Sequence, residues 1–253
     1  MIENSDFETF LYISKSKYQI FVYDKNNLKN LYNEEIGYSD EIELNTLSKF
    51  LDDNIYKIEK KIKNFIRNII LIVEDDKILE IGISLKKKNY EKSENQKQLE
   101  NSLVEVKDIF KENYQDLLIM HMVIVEKENN FLLDNANNSD DYLFLEVNFI
   151  SIPNKFTFYF DKLLENHQIN IKRYMSGDYI KSFFDIESKE SMELFVMANK
   201  LNDGLNKNEV QLISKNKENR GFVEFWARLL VQGSRYVSSR LFQNKYGRPN
   251  WGS

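Results

Sequence analysis

Residues Phe7 to Tyr23 read Phe-Glu-Thr-Phe-Leu-Tyr-Ile-Ser-Lys-Ser-Lys-Tyr-Gln-Ile-Phe-Val-Tyr. Two β-rich apolar runs, Phe7 to Ile13 and Tyr18 to Tyr23, flank the short polar turn Ser14 to Lys17, which is the pattern of a hairpin. From Leu44 the pattern changes. Leu47, Phe50, Leu51, Ile55, Ile58, Ile62, Phe65 and Ile66 recur in steps of three and four, so one apolar stripe runs along a long helix. Asn45 or Asn54 could cap or interrupt that helix.

Further along, Ile69 to Val73 and Ile78 to Leu85 read as strands around a turn at Asp75 and Asp76. Lys86 to Lys97 is polar and without period, hence an exposed loop, and Leu99, Leu103, Val106, Phe110 and Tyr114 define a second amphipathic helix. Leu117 to Val125 reads as a strand buried on both faces, Glu126 to Asp141 as a polar turn region, and Tyr142 to Ile152 as a strand ended by Pro153. Phe156, Phe160, Leu163 and Leu164 make a helix, Ile169 to Tyr174 a strand, Gly177 a break, and Ser191 to Leu201 another helix. Strands and helices alternate irregularly, which predicts a mixed α/β fold.

The chain has 253 residues, and 42% hydrophobic content supports a sizeable core. With no Cys, disulfides, thiolate zinc sites and a cysteine nucleophile are excluded. His121 lies in the apolar stretch Ile119 to Val123 and reads as a hydrogen-bonded strand histidine, and His167 as a residue at a helix end. The pairs Asp52-Asp53, Asp75-Asp76 and Asp140-Asp141 sit in turns or on polar helix faces, without the matched spacing a divalent cation needs. The glycines form no phosphate-cradling loop. No catalytic residue, cofactor or metal site is therefore expected, and no nucleic-acid partner. The first residues lack the pattern of a signal peptide, and no apolar run is long enough to cross a bilayer, so a cytoplasmic location is expected.

Charge is uneven. From Lys215 to Ser253 there are eight Lys or Arg against two acids, a net of +6, while the rest of the chain carries −11. At 100° per residue, Phe222, Phe225, Trp226, Leu229, Leu230, Tyr236 and Val237 share one face of a helix, with Glu224, Arg228 and Arg235 opposite and Arg220 just before it. Three destinations suit that helix: an anionic membrane surface, the groove of a partner protein, or the protein's own core.

The order of segments resembles the bacterial cell-division actin homologue FtsA. Phe10-Leu11-Tyr12-Ile13 with Tyr18 to Tyr23 looks like that family's first hairpin, and Ile70 to Leu85 like the strand pair leading into its small inserted subdomain. Ile119 to Ile124, followed by Asp134 and by Leu145-Glu146-Val147, is similar to the last strands of the insert and the return to the main sheet.

The resemblance implies an actin-like, ribonuclease H-like half domain at 1–77 and 142–187. It also implies an inserted α+β subdomain at 78–141, a helical extension at 188–214 and a basic tether with an amphipathic helix at 215–253. It departs from the family at the phosphate loops: Ser14 to Lys17 replaces the expected Asp and Gly, no Asp-x-Gly-Gly loop follows Tyr174, and too few residues remain for a second actin-like half. The implied function is a non-enzymatic cell-division adaptor, peripheral on the inner face of the membrane through the terminal helix, with a cytoplasmic division protein as partner. A soluble interaction module anchored by Phe222 and Trp226 is the alternative. A nuclease or phosphotransfer enzyme on a ribonuclease H-like sheet is the third reading.

Overall fold

The computed structural model describes residues 7–27, 29–38, 44–88, 95–130, 142–184 and 191–210. Contacts divide the chain into a unit from Met1 to Val210 and a second from Gln211 to Ser253. The described residues all belong to the first. Its elements in chain order are β1 (Phe7–Ile13), β2 (Lys17–Asp24), β3 (Lys29–Gly37), α1 (Leu44–Ile62), β4 (Asn68–Val73), β5 (Leu79–Lys88), α2 (Asn95–Asn113), β6 (Leu117–Asn130), β7 (Tyr142–Pro153), α3 (Asn154–Glu165), β8 (Asn170–Ser176), α4 (Gly177–Phe184) and α5 (Ser191–Asn202).

Five strands form one sheet in the order β3-β2-β1-β4-β8. β1 and β2 pair antiparallel, as do β2 and β3, whereas β1 with β4 and β4 with β8 are parallel. This order, with β2 alone reversed, defines a ribonuclease H-like sheet, the actin-like half domain expected from the sequence. A second, antiparallel sheet, β5-β7-β6, lies in the chain between β4 and β8.

Both faces of β1, β2 and β4 are covered, which is why these three strands are nearly continuous apolar runs. Leu11, Ile13, Ile20 and Val22 join Leu47, Leu51 and Ile58 of α1 and Phe160 and Leu164 of α3 on one side. On the other, Phe10, Phe21, Ile70 and Ile72 meet Ile180 of α4 and Leu194, Phe195, Ala198 and Leu201 of α5. The Phe21 and Phe195 rings stack at 4.6 Å. The 188–214 stretch thus contributes α5 to the core of the sheet.

Several boundaries differ from the sequence reading, each for a physical reason. The sequence pattern carries no strand signal for β3, because this edge strand is exposed and rich in Asn and Glu. α1 stops at Ile62 rather than running to Ile66, since Lys63 takes φ 56°, the left-handed turn that ends helices. Asn54 neither caps nor interrupts α1; it is buried within it, donating to the Phe50 carbonyl at 2.7 Å and accepting from the Tyr32 hydroxyl at 2.6 Å.

The expected loop Lys86 to Lys97 is in part strand and in part helix, since β5 runs to Lys88 and α2 starts at Asn95. β6 extends to Asn130, well into the expected turn region, and is not buried throughout, for Val125 is 60% exposed. The 142–153 stretch pairs with β5 and β6 instead of returning to the main sheet. Polar strand ends paired in register with a neighbour carry no apolar signature of their own.

Candidate functional site

In an open sheet of this kind ligands collect outside the carboxyl ends of the parallel strands, at the point where neighbouring strands lead away in opposite directions. Here β1 leads to β2 on one side and β4 leads, through the second sheet, to β8 on the other. Three short segments meet at that edge: Ser14 to Lys17 after β1, Glu74 to Asp76 after β4, and Ser176 to Asp178 at the junction of β8 and α4.

The first segment is a turn closed on itself. The Ser14 N–H donates to the Lys17 carbonyl at 3.1 Å, and the Ser14 hydroxyl oxygen accepts the Lys17 N–H at 3.2 Å. Lys15 pairs with Asp76, and Lys17 with Glu35 at 3.0 Å. In the second segment the Glu74 N–H donates to the Ile13 carbonyl at 2.8 Å, which aligns the ends of β4 and β1. The third is capped by Ser176, whose hydroxyl oxygen accepts the Tyr179 N–H at 3.2 Å, satisfying one open donor of α4.

Glu74 is the centre of the arrangement. Its side chain lies over Gly177, where an added Cβ would stand 2.5 Å from both Cγ and Oε1, so any larger residue there would push Glu74 aside. Lys181 Nζ lies 2.6 Å from Glu74 Oε1, a charge contact without the angle of an aligned hydrogen bond. Burial, then the Glu74 charge and a hydrogen bond from the phenol to it, push the Tyr12 hydroxyl well above its ordinary range. Burial and the Glu74 charge also raise Asp178, against the pull of Lys181. The edge therefore gathers four carboxylates, Glu74, Asp75, Asp76 and Asp178, and Lys15, Lys17, Lys77 and Lys181 are each engaged by a carboxylate. Such a site is chemically unlike a cradle for a polyphosphate, which needs open N–H groups and unengaged cations. Among the described residues no group of three or more His, Asp or Glu could hold a metal ion.

A second polar cluster ties the two sheets together. His121 of β6 is fully buried; its Nδ1–H donates to Glu209 Oε1 at 2.8 Å, and its Nε2 accepts the Ser176 N–H at 2.9 Å, which fixes the tautomer. Arg173 also binds Glu209 Oε1, and the Tyr179 hydroxyl lies 3.4 Å from Oε2 while accepting from Asn206 Nδ2 at 2.7 Å. Burial holds His121 below its ordinary value. Burial pushes Glu209 up, but the His121 hydrogen bond and the Arg173 charge prevail and hold it low. No buried side-chain polar atom of this network lacks a partner. His167 lies 3.6 Å from Asp52, linking the turn after α3 to α1.

The residues expected to bind a membrane or partner, Phe222, Phe225, Trp226, Leu229, Leu230, Arg220, Arg228 and Arg235, lie outside the described residues. Glu74, Asp178, Lys181, Arg173 and Glu209 were not singled out in the sequence. Only Gly177 gave a signal, as a break before a helix.

No protein-family model matches the chain, and no curated protein matches it. Among solved structures it is similar to the cytoplasmic domain of EpsL, an inner membrane component of the type II secretion system of Vibrio cholerae, at 9% identity and TM-score 0.37, covering 70% of this chain and 58% of that one. The PilM-PilN type IV pilus biogenesis complex matches at 8% identity and TM-score 0.42, covering 70% and 49%. A Bacteroides thetaiotaomicron protein described as having an actin-like ATPase fold and unknown function matches at 11% identity and TM-score 0.31, covering 73% and 58%. The match thus spans 49% to 58% of the length of these chains. The strand order makes this chain a mixed α/β protein with an actin-like half domain.

Proposed function

We propose that the protein is a non-enzymatic adaptor: an actin-like half domain whose strand-end crevice is closed by its own side chains, attached to an anionic membrane by the amphipathic segment around Phe222 to Val237. The observation that carries the non-enzymatic part is the seating of Glu74 on Gly177. A carboxylate stands at the start of α4, where an anionic ligand would otherwise meet the helix N-terminus. Attachment rests on the Trp and Phe face of the tail and its cations. The protein recruits a cytoplasmic partner to the membrane, and a role in cell division follows the FtsA resemblance.

Co-sedimentation of the full chain with vesicles of about 30 mol% phosphatidylglycerol tests attachment. Trp226→Glu removes co-sedimentation at vesicle concentrations that bind the unaltered chain, with the melting curve unchanged. If that substitution melts the protein instead, the helix belongs to the core and attachment fails. Equal binding of partner with and without anionic lipid favours the groove-docking reading.

A further inference from the structure

The last two turns of α1 and the segment that follows them, Tyr56 to Asn68, stand out from the acidic body of the protein. They carry five cations, Lys57, Lys60, Lys61, Lys63 and Arg67, all exposed, against the single acid Glu59. Glu59 is engaged, since its Oε1 accepts the Ile66 N–H at 3.1 Å. Among the described residues Lys57, Lys60 and Lys63 make no ion pair. Asp52 and Asp53 lie a turn further back along α1, Asp52 beside His167.

Within this basic cap two aromatic rings are left in water. Phe65 is 71% exposed and Tyr56 70%. The turn that presents Phe65 is built rather than loose: Lys63 sits at φ 56°, the Phe65 N–H is held by Asn64 Oδ1 at 2.8 Å, and the next residue, Ile66, is 2% exposed in the core. Complementarity to the helix dipole accounts for Lys60 and Lys61 in the last turn of α1. It does not account for a fully formed turn that holds a phenyl ring out among lysines. The exposed ring of Phe158 has Lys162 over it at 4.5 Å; Phe65 has no such cation among the described residues.

We infer that this tip of α1 is a second membrane contact, with Phe65 entering the headgroup region of an anionic leaflet and Lys57, Lys60 and Lys63 lying against lipid phosphates. The inference rests on the membrane-adaptor reading and extends it from a tether to a fixed orientation of the half domain. The charge of the cap selects an anionic surface even though the body as a whole is acidic. A single phenyl on a turn, with no hydrogen-bonding tip, suits insertion between lipids; a single-stranded nucleic acid calls for a groove with successive stacking rings.

The chain contains no cysteine, so Asn68→Cys, at an exposed position three residues from Phe65, takes an environment-sensitive fluorophore at one place only in the full-length protein and leaves the Asn64 bond intact. On vesicles of about 30 mol% phosphatidylglycerol the label shifts to the blue, and on phosphatidylcholine alone it does not. Phe65→Ser in the labelled chain removes the shift. Lys57→Ser, Lys60→Ser and Lys63→Ser together weaken the apparent affinity on the order of a hundredfold, at roughly fivefold per lysine. In the Trp226→Glu background the shift persists at higher vesicle concentration, which separates tip from tail. A chain that co-sediments with the vesicles while its label stays in water overturns the tip contact and leaves the tail reading standing. A label that responds to a single-stranded oligonucleotide and not to vesicles overturns it as well. Lys57, Lys60, Lys63, Phe65 and Asn68 are all exposed, and an unchanged melting curve confirms the fold in each variant.

Discussion

His121 and Glu209, 88 residues apart, meet at 2.8 Å with only 0% and 4% of their side chains in contact with solvent. The bond joins β6 of the second sheet to the segment after α5. Two backbone bonds run beside it, from Ile124 N–H to the Asn208 carbonyl and from Val210 N–H to the Met122 carbonyl, each 2.8 Å. The imidazole is neutral in the fold, because burial lowers its proton affinity below that of the unfolded chain.

A pH dependence follows. Below about pH 6.5 the unfolded chain takes up a proton that the native state refuses, so stability falls on acidification, by at most about 1.4 kcal/mol per pH unit for one group. Glu209 adds loss at lower pH, since its native value is held below the ordinary one and its contribution fades as pH drops through that depressed value. Urea unfolding at pH 7.5 and 5.5 measures the slope. His121→Gln can keep both hydrogen bonds without titrating, and its slope over that window is smaller. An identical slope in the variant would assign the effect elsewhere.

Gly177→Ala forces the new methyl against Glu74, which Lys181 holds in place. A cost of about 1–3 kcal/mol is expected from such overpacking. Glu74→Ala in the same chain relieves the clash, so the double variant is less destabilised than additivity requires. Denaturant midpoints of the four proteins give the coupling, and strict additivity counts against the contact.

Phe110 of α2 is fully buried and stacks on Phe149 of β7 at 4.5 Å. Phe110→Ala should cost about 3–5 kcal/mol. Deleting residues 86–97 is also destabilising, because Lys86, Lys87 and Lys88 pair with Phe144, Leu143 and Tyr142 and the first residues of α2 go with them. A thermal melt that is unmoved by the deletion would show that these pairings contribute nothing.

Magnesium ATP at millimolar concentration leaves the melting temperature unchanged, since a triphosphate at the strand ends faces Glu74, Asp75, Asp76 and Asp178 with their lysines already engaged. A ligand at 100 times its dissociation constant would add about 2.7 kcal/mol, which calorimetry detects readily. A clear upward shift sinks the non-enzymatic reading.

The buried parts of the fold were legible. β1, β2 and β4 announce themselves because side chains such as Phe10 and Leu11 face opposite cores, so the whole run must be apolar. β3 was hidden because its Asn and Glu residues face solvent, and the end of α1 because Lys63 adopts a turn usually given to glycine. The candidate site was legible only as a missing motif. Glu74 and Gly177 stand 103 residues apart in the sequence, and nothing local to either says that parallel pairing of β4 with β8 will bring them together.

That same pairing orders the birth of the protein. Asn68 meets Asn170, so roughly 100 residues must be translated after β4 before its partner strand exists, a wait of roughly 5–20 s at ~5–20 residues per second. Throughout that interval the run Ile69 to Val73 has an unpaired, apolar strand edge, the kind of surface a chaperone shields.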